Sequence, residues 1–225
     1  MPYRPNLILV RHLSLVKPLS RLQEEQRSQD EVLLDAVGLT FNRGSLIEVA
    51  GQPSSGKTSV ALSLLSKLTA AGEICAAVDA NNSFDPPSAN LAGVDLENLL
   101  WVKCGGDIEK AFMSADHLVQ AKGFGAIWLN LTGLPESKIR MVPKTYWYRY
   151  RTRIKETPTM MFVTAGSHIT GSASQQSFMF EREDTRWSGS GKFKLLRAFH
   201  LKMVSRKEFY GDALRTKIEV DYTDV

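Results

Sequence analysis

The chain has 225 residues, a length that favours one domain of ordinary size whose core needs neither disulfides nor a structural metal. Its 28 basic and 24 acidic residues give a net charge of +4, which permits an acidic partner or nucleic acid without requiring one. Cys75 and Cys104 lie in apolar stretches without C-x-x-C spacing, and no apolar run could span a bilayer, so we expect buried thiols in a cytoplasmic protein without membrane contact.

Residues 1–35 are predicted to form a polar N-terminal arm before a core at residues 36–225. Ser20 is a candidate N-cap for a short charged helix over Arg21–Ser28. The apolar run Leu7–Val10 would allow the arm to add a strand to a neighbouring subunit and so serve oligomerisation. Folding back onto its own core is an equally compatible alternative.

Strand-like and helix-like stretches alternate from Ser45 onward, which predicts a parallel sheet covered by helices on both faces. The expected strands are Leu46–Ala50, Ile74–Asp79, Ala126–Asn130 and Thr159–Ala165, and the expected helices are Val60–Leu68 and Ile108–Lys122. The last third of the chain is typical of antiparallel strands, namely Phe178–Arg186, Leu195–Ser205 and Leu214–Tyr222. The sequence thus predicts an α/β fold with a mostly parallel central sheet extended by C-terminal antiparallel strands.

A phosphate-binding loop is predicted between the first of these strands and the helix that follows it. Residues 51–58 read G-Q-P-S-S-G-K-T, a complete G-x-x-x-x-G-K-S/T pattern. The alternative interpretation is an ordinary Gly/Ser turn before a helix. Glycines let backbone N–H groups point at phosphate oxygens, and the helix N-terminus adds a favourable dipole. Lys57 would lie on the β- and γ-phosphates, and the Thr58 hydroxyl would bind Mg²⁺. The expected nucleotide contacts are Gly51, Ser54, Ser55, Gly56, Lys57, Thr58 and Ser59.

The segment 144–153 interleaves aromatic residues with cations, a composition suited to single-stranded DNA or to a protein partner. Its cations are Lys144, Arg149, Arg151 and Arg153. At helical spacing, however, Trp147, Tyr150 and Ile154 share one face, and we therefore favour a helix packed on the core with its arginines in solvent.

The loop Gly166–Ser177 contains no lysine or arginine, so we expect weak DNA affinity and predict a flexible connector. His168 has no Cys, His or carboxylate at metal-ligand spacing. We therefore expect no metal site apart from nucleotide-bound Mg²⁺, and no Ser-His-Asp arrangement.

The stretch from Gly44 to Leu100 resembles the RecA recombinase family. It reads G-S-L-I-E-V-A-G-Q-P-S-S-G-K-T, then A-A-G-E-I-C-A-A-V-D-A, then D-P-P-S-A-N-L-A-G-V-D-L-E-N-L-L, in the family's order and nearly at its spacing. Weaker likeness continues to Tyr222. The resemblance implies a RecA-like P-loop core that binds ATP with Mg²⁺, acts in DNA repair and recombination, and contacts DNA, a RecA filament or other copies of itself.

Two departures from the family concern catalysis. The glutamate that activates the attacking water in the family is Asn81 here, and the Walker B aspartate that helps hold Mg²⁺ is Asn130. Loss of an acid–base group typically costs about 10²–10⁴ in rate, so we expect a protein that binds nucleotide and hydrolyses it poorly. Asp79 or Asp85 could instead serve as the base, which would leave a DNA-dependent ATPase of homologous recombination as the alternative function.

Three further departures affect contacts with nucleotide. The family's adenine-stacking aromatic residue is Ser88, and its glutamine that senses the γ-phosphate is Ala165. Of two lysines that reach a neighbouring subunit's nucleotide, the first is Ser205 and only Lys207 remains. These losses keep open a third possibility, a protein that no longer binds nucleotide.

The chain also resembles the ImuA type of RecA-like protein, which lacks the recombinase's C-terminal domain and has eroded catalytic positions. Such proteins are encoded with translesion polymerase components in damage-inducible (SOS) mutagenesis cassettes. The intact phosphate loop departs from many of them. This resemblance implies an accessory role through contacts with translesion polymerase accessory proteins.

Overall fold

The computed structural model describes residues 30–35, 37–190, 195–206 and 214–219. The expected helix Arg21–Ser28 with its cap Ser20, the apolar run Leu7–Val10 and the cation Lys207 lie outside the described residues. No helix in the described part of the chain is long and apolar enough to cross a membrane.

The described strands form a two-stranded hairpin and an eight-stranded sheet. In chain order the strands are β1 (Glu31–Leu34), β2 (Leu39–Asn42), β3 (Leu46–Gly51), β4 (Cys75–Asp79), β5 (Leu99–Lys103), β6 (Ala126–Asn130), β7 (Met160–Ala165), β8 (Gln176–Ser188), β9 (Leu195–Ser205) and β10 (Leu214–Glu219). The large sheet has the order β10-β9-β8-β3-β7-β6-β4-β5. Strands β3 to β8 are mutually parallel, and β9 and β10 continue the sheet in antiparallel fashion. The predicted fold class is confirmed.

One strand differs from its predicted pairing. We expected Phe178–Arg186 to be antiparallel, but β8 runs parallel to β3, with Phe180 opposite Gly51, and only its other edge pairs antiparallel with β9. The chain leaves β7 on one side of β3 and returns on the other side through the loop that precedes β8. Such a crossover delivers a strand in the parallel direction, and the strand's own composition does not reveal it.

The described helices cover both faces of the sheet, as predicted. They are α1 (Lys57–Ala70), α2 (Pro86–Leu91), α3 (Ile108–Ala121), α4 (Glu136–Met141) and α5 (Thr145–Ile154). On β3, Ile47 and Val49 belong to the apolar cluster of α1, whereas Leu46 belongs to the cluster of α3 and α5. This alternation follows from the two-residue period of a strand and shows that β3 is buried on both faces.

The hairpin β1–β2 packs on the core although part of it was expected in the arm. Val32 pairs with Phe41, and Val32, Leu34 and Phe41 are all buried in the cluster beneath α1. The boundary expected after residue 35 therefore falls inside this hairpin. Short strands whose sequence alternates little give a weak signal. The polar residues around them therefore led us to assign this segment to the arm.

The two cysteines are free and buried, as expected. Burial raises the pKa of Cys75 to about 11, and it also raises the pKa of Cys104. Both side chains therefore act as small apolar groups of the core.

Candidate functional site

The loop between β3 and α1 has the backbone that the phosphate-loop pattern requires. Gly56 is the N-cap of α1 and has a φ of 85°, a left-handed conformation that glycine adopts without strain. At Gly51 a Cβ atom would overlap the carbonyl oxygen of Phe180 on the neighbouring strand. Both glycines of the pattern are thus explained by local geometry.

Lys57 is a buried cation that has no anionic partner among the residues that the structure describes. Its side chain is 4% exposed, and Nζ donates to the carbonyl oxygens of Gly51 at 2.6 Å and Gln52 at 2.7 Å. Burial lowers the pKa of Lys57, and no carboxylate within the described residues contributes to that shift. An ammonium group that is taken out of water without a counter-charge is costly, so the site is suited to an anion.

The rest of the loop also fits a nucleotide phosphate. Ser55 is buried with its hydroxyl 3.3 Å from Lys57 Nζ, and Thr58 and Ser59 are exposed in the first turn of α1. Backbone N–H groups at a helix N-terminus bind phosphate, and an accessible threonine hydroxyl at this position is a ligand for Mg²⁺. The structure thus gathers all seven predicted contacts, Gly51 and Ser54 to Ser59, into one loop.

The Walker B position is occupied by a neutral side chain whose oxygen and nitrogen both form hydrogen bonds. Asn130, 3% exposed at the end of β6, accepts hydrogen bonds at Oδ1 from the Thr164 hydroxyl at 3.0 Å and the Thr132 N–H at 3.1 Å. Its Nδ2 donates to Ser83 Oγ at 2.9 Å. The amide therefore links β6, β7 and the turn after β4, and carries no charge for a metal shell.

Asn81 lies near Asn130, at the end of the sheet where the parallel strands have their C-termini. Asp79, the last residue of β4, pairs directly with Asn130, and Asn81 follows two positions later in an exposed turn. A Cβ atom on Gly133 would come within 2.7 Å of the Asn81 side-chain nitrogen. The two departures from the family's catalytic pattern are thus brought together in space.

The two alternative bases are engaged in local structure. Asp79 is 1% exposed, and its carboxylate accepts from the backbone N–H groups of Ser83 at 3.0 Å and Phe84 at 2.7 Å. Asp85 caps α2 by accepting from the Ser88 N–H and hydroxyl, and these bonds, the hydroxyl first, lower the pKa of Asp85. The lowered pKa makes Asp85 a weaker base, and Asp79 is buried away from solvent water, so neither carboxylate is well suited to activate water.

The remaining departures are placed as follows. Ser88 is tied to Asp85, Ala165 is fully buried at the end of β7, and Ser205 ends β9 opposite Phe178. None of these side chains offers the stacking surface, amide or ammonium group that the family has at its position. Of the positions at which the family contacts nucleotide, the phosphate loop is therefore the one that this chain retains intact.

The basic and aromatic segment forms α5, a helix packed on the core as we favoured, but two of its arginines pair with a carboxylate and do not lie free in solvent. Trp147, Tyr150 and Ile154 are buried against α3. Arg149 Nε and Arg153 Nη1 both donate to Asp116 Oδ1 of α3, at 2.7 Å and 2.6 Å.

Two cations of this segment face the loop before β8. Arg151 donates to the Ser172 carbonyl at 3.1 Å, and Lys144 lines a cavity of about 430 Å³ together with Arg140 and Arg206. Within the described part of the chain, no acidic residue lines that cavity. A contact of these cations with DNA or a partner stays a prediction.

The loop before β8 is anchored at a carboxylate that sequence reasoning missed, so the prediction of a flexible connector is wrong. Glu48 on β3 is fully buried and accepts from His168 Nδ1 at 2.9 Å, Ser177 Oγ at 2.7 Å, and the N–H groups of Ile169 at 2.7 Å and Thr170 at 2.8 Å. Burial acts to raise the pKa of Glu48, but these hydrogen bonds, that of His168 first, lower it to about 2. The one local signal was a glutamate within an apolar strand.

Comparison with known proteins agrees with this geometry. A family model of the RecA N-terminal domain matches residues 21–138. The Protein RecA of Picosynechococcus sp. is 42% identical over 86 residues, covering 38% of this chain and 24% of that protein. The Protein RecA of Trichodesmium erythraeum is 40% identical over 103 residues, covering 45% of this chain and 28% of that protein.

A third relative, the Protein RecA of Cutibacterium acnes, is 42% identical over 91 residues, covering 40% of this chain and 25% of that protein. The chain thus spans about a quarter of the length of the curated relatives that it matches. The family match includes the phosphate loop and both asparagine positions, and it covers more than half of the 225 residues. The chain belongs to the RecA N-terminal domain family.

Proposed function

We propose that this chain is a RecA-like protein of DNA repair that binds ATP with Mg²⁺ at Gly51–Ser59 and hydrolyses it poorly. The buried, uncompensated ammonium of Lys57 supports the binding part of this proposal. The phosphates of a bound nucleotide would supply the missing negative charge, and Thr58 would face the metal ion. Backbone contacts of the loop do not depend on the lost carboxylates, so affinity survives their loss.

The observation that supports poor hydrolysis is the neutral amide of Asn130, which is held by three hydrogen bonds at the Walker B position. A carboxylate there would contribute charge to the Mg²⁺ shell, whereas this amide uses both of its polar atoms in structural hydrogen bonds. Asn81 cannot accept a proton from water. Because positioning and electrostatic stabilisation dominate phosphoryl transfer, loss of both groups leaves slow turnover.

The biological role proposed is that of an accessory protein in damage-induced mutagenesis, as the ImuA-type resemblance implies. Candidate partners are translesion polymerase accessory proteins, a RecA filament, or further copies of this chain. Edge strand β5 supports such contacts, since Leu100 is 46% exposed on it and Ile74 beside it is 54% exposed. Buried free thiols support a reducing, cytoplasmic setting.

DNA contact is proposed to be weak. The loop Gly166–Ser177 carries no lysine or arginine, and two arginines of α5 share the single negative charge of Asp116, which offsets one of their two positive charges. The cations left to release phosphate counterions are Lys144, Arg151 and the other cations beside the loop, a small set from which we expect weak DNA affinity. The intact phosphate loop favours one alternative, a DNA-dependent ATPase of homologous recombination, which would need a carboxylate from another subunit.

The test is ATP hydrolysis with and without single-stranded DNA, measured beside binding of a fluorescent ATP analogue. Lys57→Ala is the control. We expect binding that Lys57→Ala abolishes and turnover that stays at background with DNA. DNA-stimulated turnover that disappears in Lys57→Ala would instead support the recombination ATPase, and binding unaffected by Lys57→Ala would contradict the nucleotide site.

A further inference from the structure

A cavity of about 620 Å³ opens beside the phosphate loop. Gln52, Pro53 and Ser55 of the loop line it, together with Ser167 after β7 and Arg182 on β8. The hydroxyl oxygen of Ser167 is buried and has no hydrogen-bond partner within the described residues. The cavity thus joins the loop to a strand that carries a cation.

The register of the sheet places Arg182 on the side of the loop. Gly51 pairs with Phe180, and both Phe178 and Phe180 are buried in the cluster of α1. Since alternate residues of a strand share a face, Arg182 projects toward the same side, about 7 Å beyond the level of Gly51. The irregularity of β8 begins only after Arg182. The guanidinium is therefore within side-chain reach of the space above the loop.

Arg182 lines this cavity and has no ion pair within the described residues. It is exposed, and no side-chain hydrogen bond or ion pair of it occurs within the part of the chain that the structure describes. The two carboxylates that also line the cavity are engaged elsewhere: Glu136 pairs with Arg140 at 3.1 Å, and Glu181 pairs with Lys202 at 2.7 Å. Of the charged residues that line the cavity, Arg182 is thus the one without an ion pair among the described residues.

The position of the cavity matches the terminal phosphate. In phosphate loops the helix N-terminus holds the α- and β-phosphates and the lysine reaches the β- and γ-phosphates. Here Lys57 Nζ lies against the carbonyls of Gly51 and Gln52, in the half of the loop that is farther from the body of α1. The cavity opens at Gln52 and Pro53, in that same half.

We propose that Arg182 binds the terminal phosphate of the nucleotide in cis, with Ser167 as a second donor, and so makes the chain prefer a triphosphate to a diphosphate. This inference rests on the proposed nucleotide site. The family contacts the terminal phosphate through an ammonium group and an amide, and this chain has Ser205 and Ala165 at those positions. A cation from elsewhere in the same chain would replace the lost contacts. Guanidinium groups bind phosphate oxygens in bidentate fashion, which suits this role. The chain would then distinguish ATP from ADP by a difference in binding affinity, without hydrolysis.

Dissociation constants for ATP and for ADP, measured by titration calorimetry with Mg²⁺, test the proposal. We expect Arg182→Ala to weaken ATP binding about tenfold and to leave ADP binding within about twofold, because a charge-assisted hydrogen bond to phosphate is lost. Arg182→Lys should retain part of the preference for ATP, and Ser167→Ala should lose a smaller part.

The matched control is Arg186→Ala, which removes an exposed arginine of the same strand that does not line the cavity. It should change neither constant. Equal losses for ATP and ADP in Arg182→Ala, or no loss at all, would overturn the role of Arg182 while leaving the nucleotide site intact. A wild-type chain that binds neither nucleotide overturns both proposals. Where the wild type binds, Lys57→Ala should abolish binding of both nucleotides, which shows that the binding measured is that of the phosphate loop.

Discussion

The Thr164 hydroxyl donates to Asn130 Oδ1 over 3.0 Å and accepts from Trp128 Nε1 over 2.9 Å. Asn130 in turn donates to Ser83, whose backbone N–H is held by Asp79. A buried polar chain thus runs from the indole through the amide to a carboxylate. Asp79 is the carboxyl group at the end of this chain of contacts, so a second carboxyl group at position 130 would be buried close to it.

We predict that Asn130→Asp lowers the free energy of unfolding at neutral pH by roughly 1–3 kcal/mol, since a second carboxylate is then buried close to Asp79. Urea unfolding at pH 7 measures the loss. A matched control is Asn82→Asp, in an exposed loop, where we expect a smaller effect. If Mg²⁺ and ATP together restore the stability of Asn130→Asp more than that of the wild type, the new carboxylate lies within the metal shell, as the family pattern implies.

We predict that the contact set of Glu48 makes stability depend on pH in the acid range. The pKa of Glu48 is about 2 in the folded chain, against an ordinary value of 4.5. A carboxyl group whose pKa is lowered by folding stabilises the folded state at pH values above its ordinary pKa. This contribution to the free energy of unfolding is about 3 kcal/mol, and it is lost as the pH falls from about 4.5 toward 2. Glu48→Gln should flatten the unfolding free energy over this range in denaturant titrations. A curve parallel to that of the wild type would contradict this account.

The Asp116 carboxylate is predicted to be structural. Asp116→Asn removes two ion pairs that join α3 to α5, and because both arginines are partly exposed we expect a loss of only about 1 kcal/mol in unfolding free energy. Glu136→Gln, which removes a more exposed pair on α4, should change stability by less than about 0.5 kcal/mol. Thermal unfolding by circular dichroism compares the two. An equal loss in both variants would mean that Asp116 does not hold α5.

Local patterns in the sequence predicted the phosphate loop and most strands, because a strand, a glycine turn and a helix each leave a short-range signal. They could not predict the contact between Glu48 and His168, which are 120 positions apart. Asp116 was missed for the same reason, since its partners Arg149 and Arg153 lie on another helix. Long-range polar contacts arise from topology, and no local period encodes them.

Two missed elements have local causes. Strand β5 lies at the edge of the sheet, and its apolar run is only four residues long, Leu99 to Val102, which is too short to distinguish a strand from a buried helix segment. Helix α2 begins with Pro86 and Pro87 after its cap Asp85, a run that is also typical of a loop. The segment 137–156 divides into α4 and α5 at Pro143, because the residue before a proline disfavours the helical conformation.

The final prediction concerns recovery of turnover. In the double variant Asn81→Glu with Asn130→Asp, a base and a metal-shell charge return to the ends of two adjacent strands whose last residues pair directly. Acid–base catalysis contributes about 10²–10⁴ in rate, so we expect ATP turnover at least about tenfold above the wild type, even if placement of the new groups is imperfect. Release of inorganic phosphate measures it. Each single variant should gain less, and Lys57→Ala in the double background should remove the gain. If the double variant folds, binds ATP and remains silent, then the asparagines are not what limits hydrolysis, and the missing Gln at Ala165 or a trans-acting cation becomes the explanation to test.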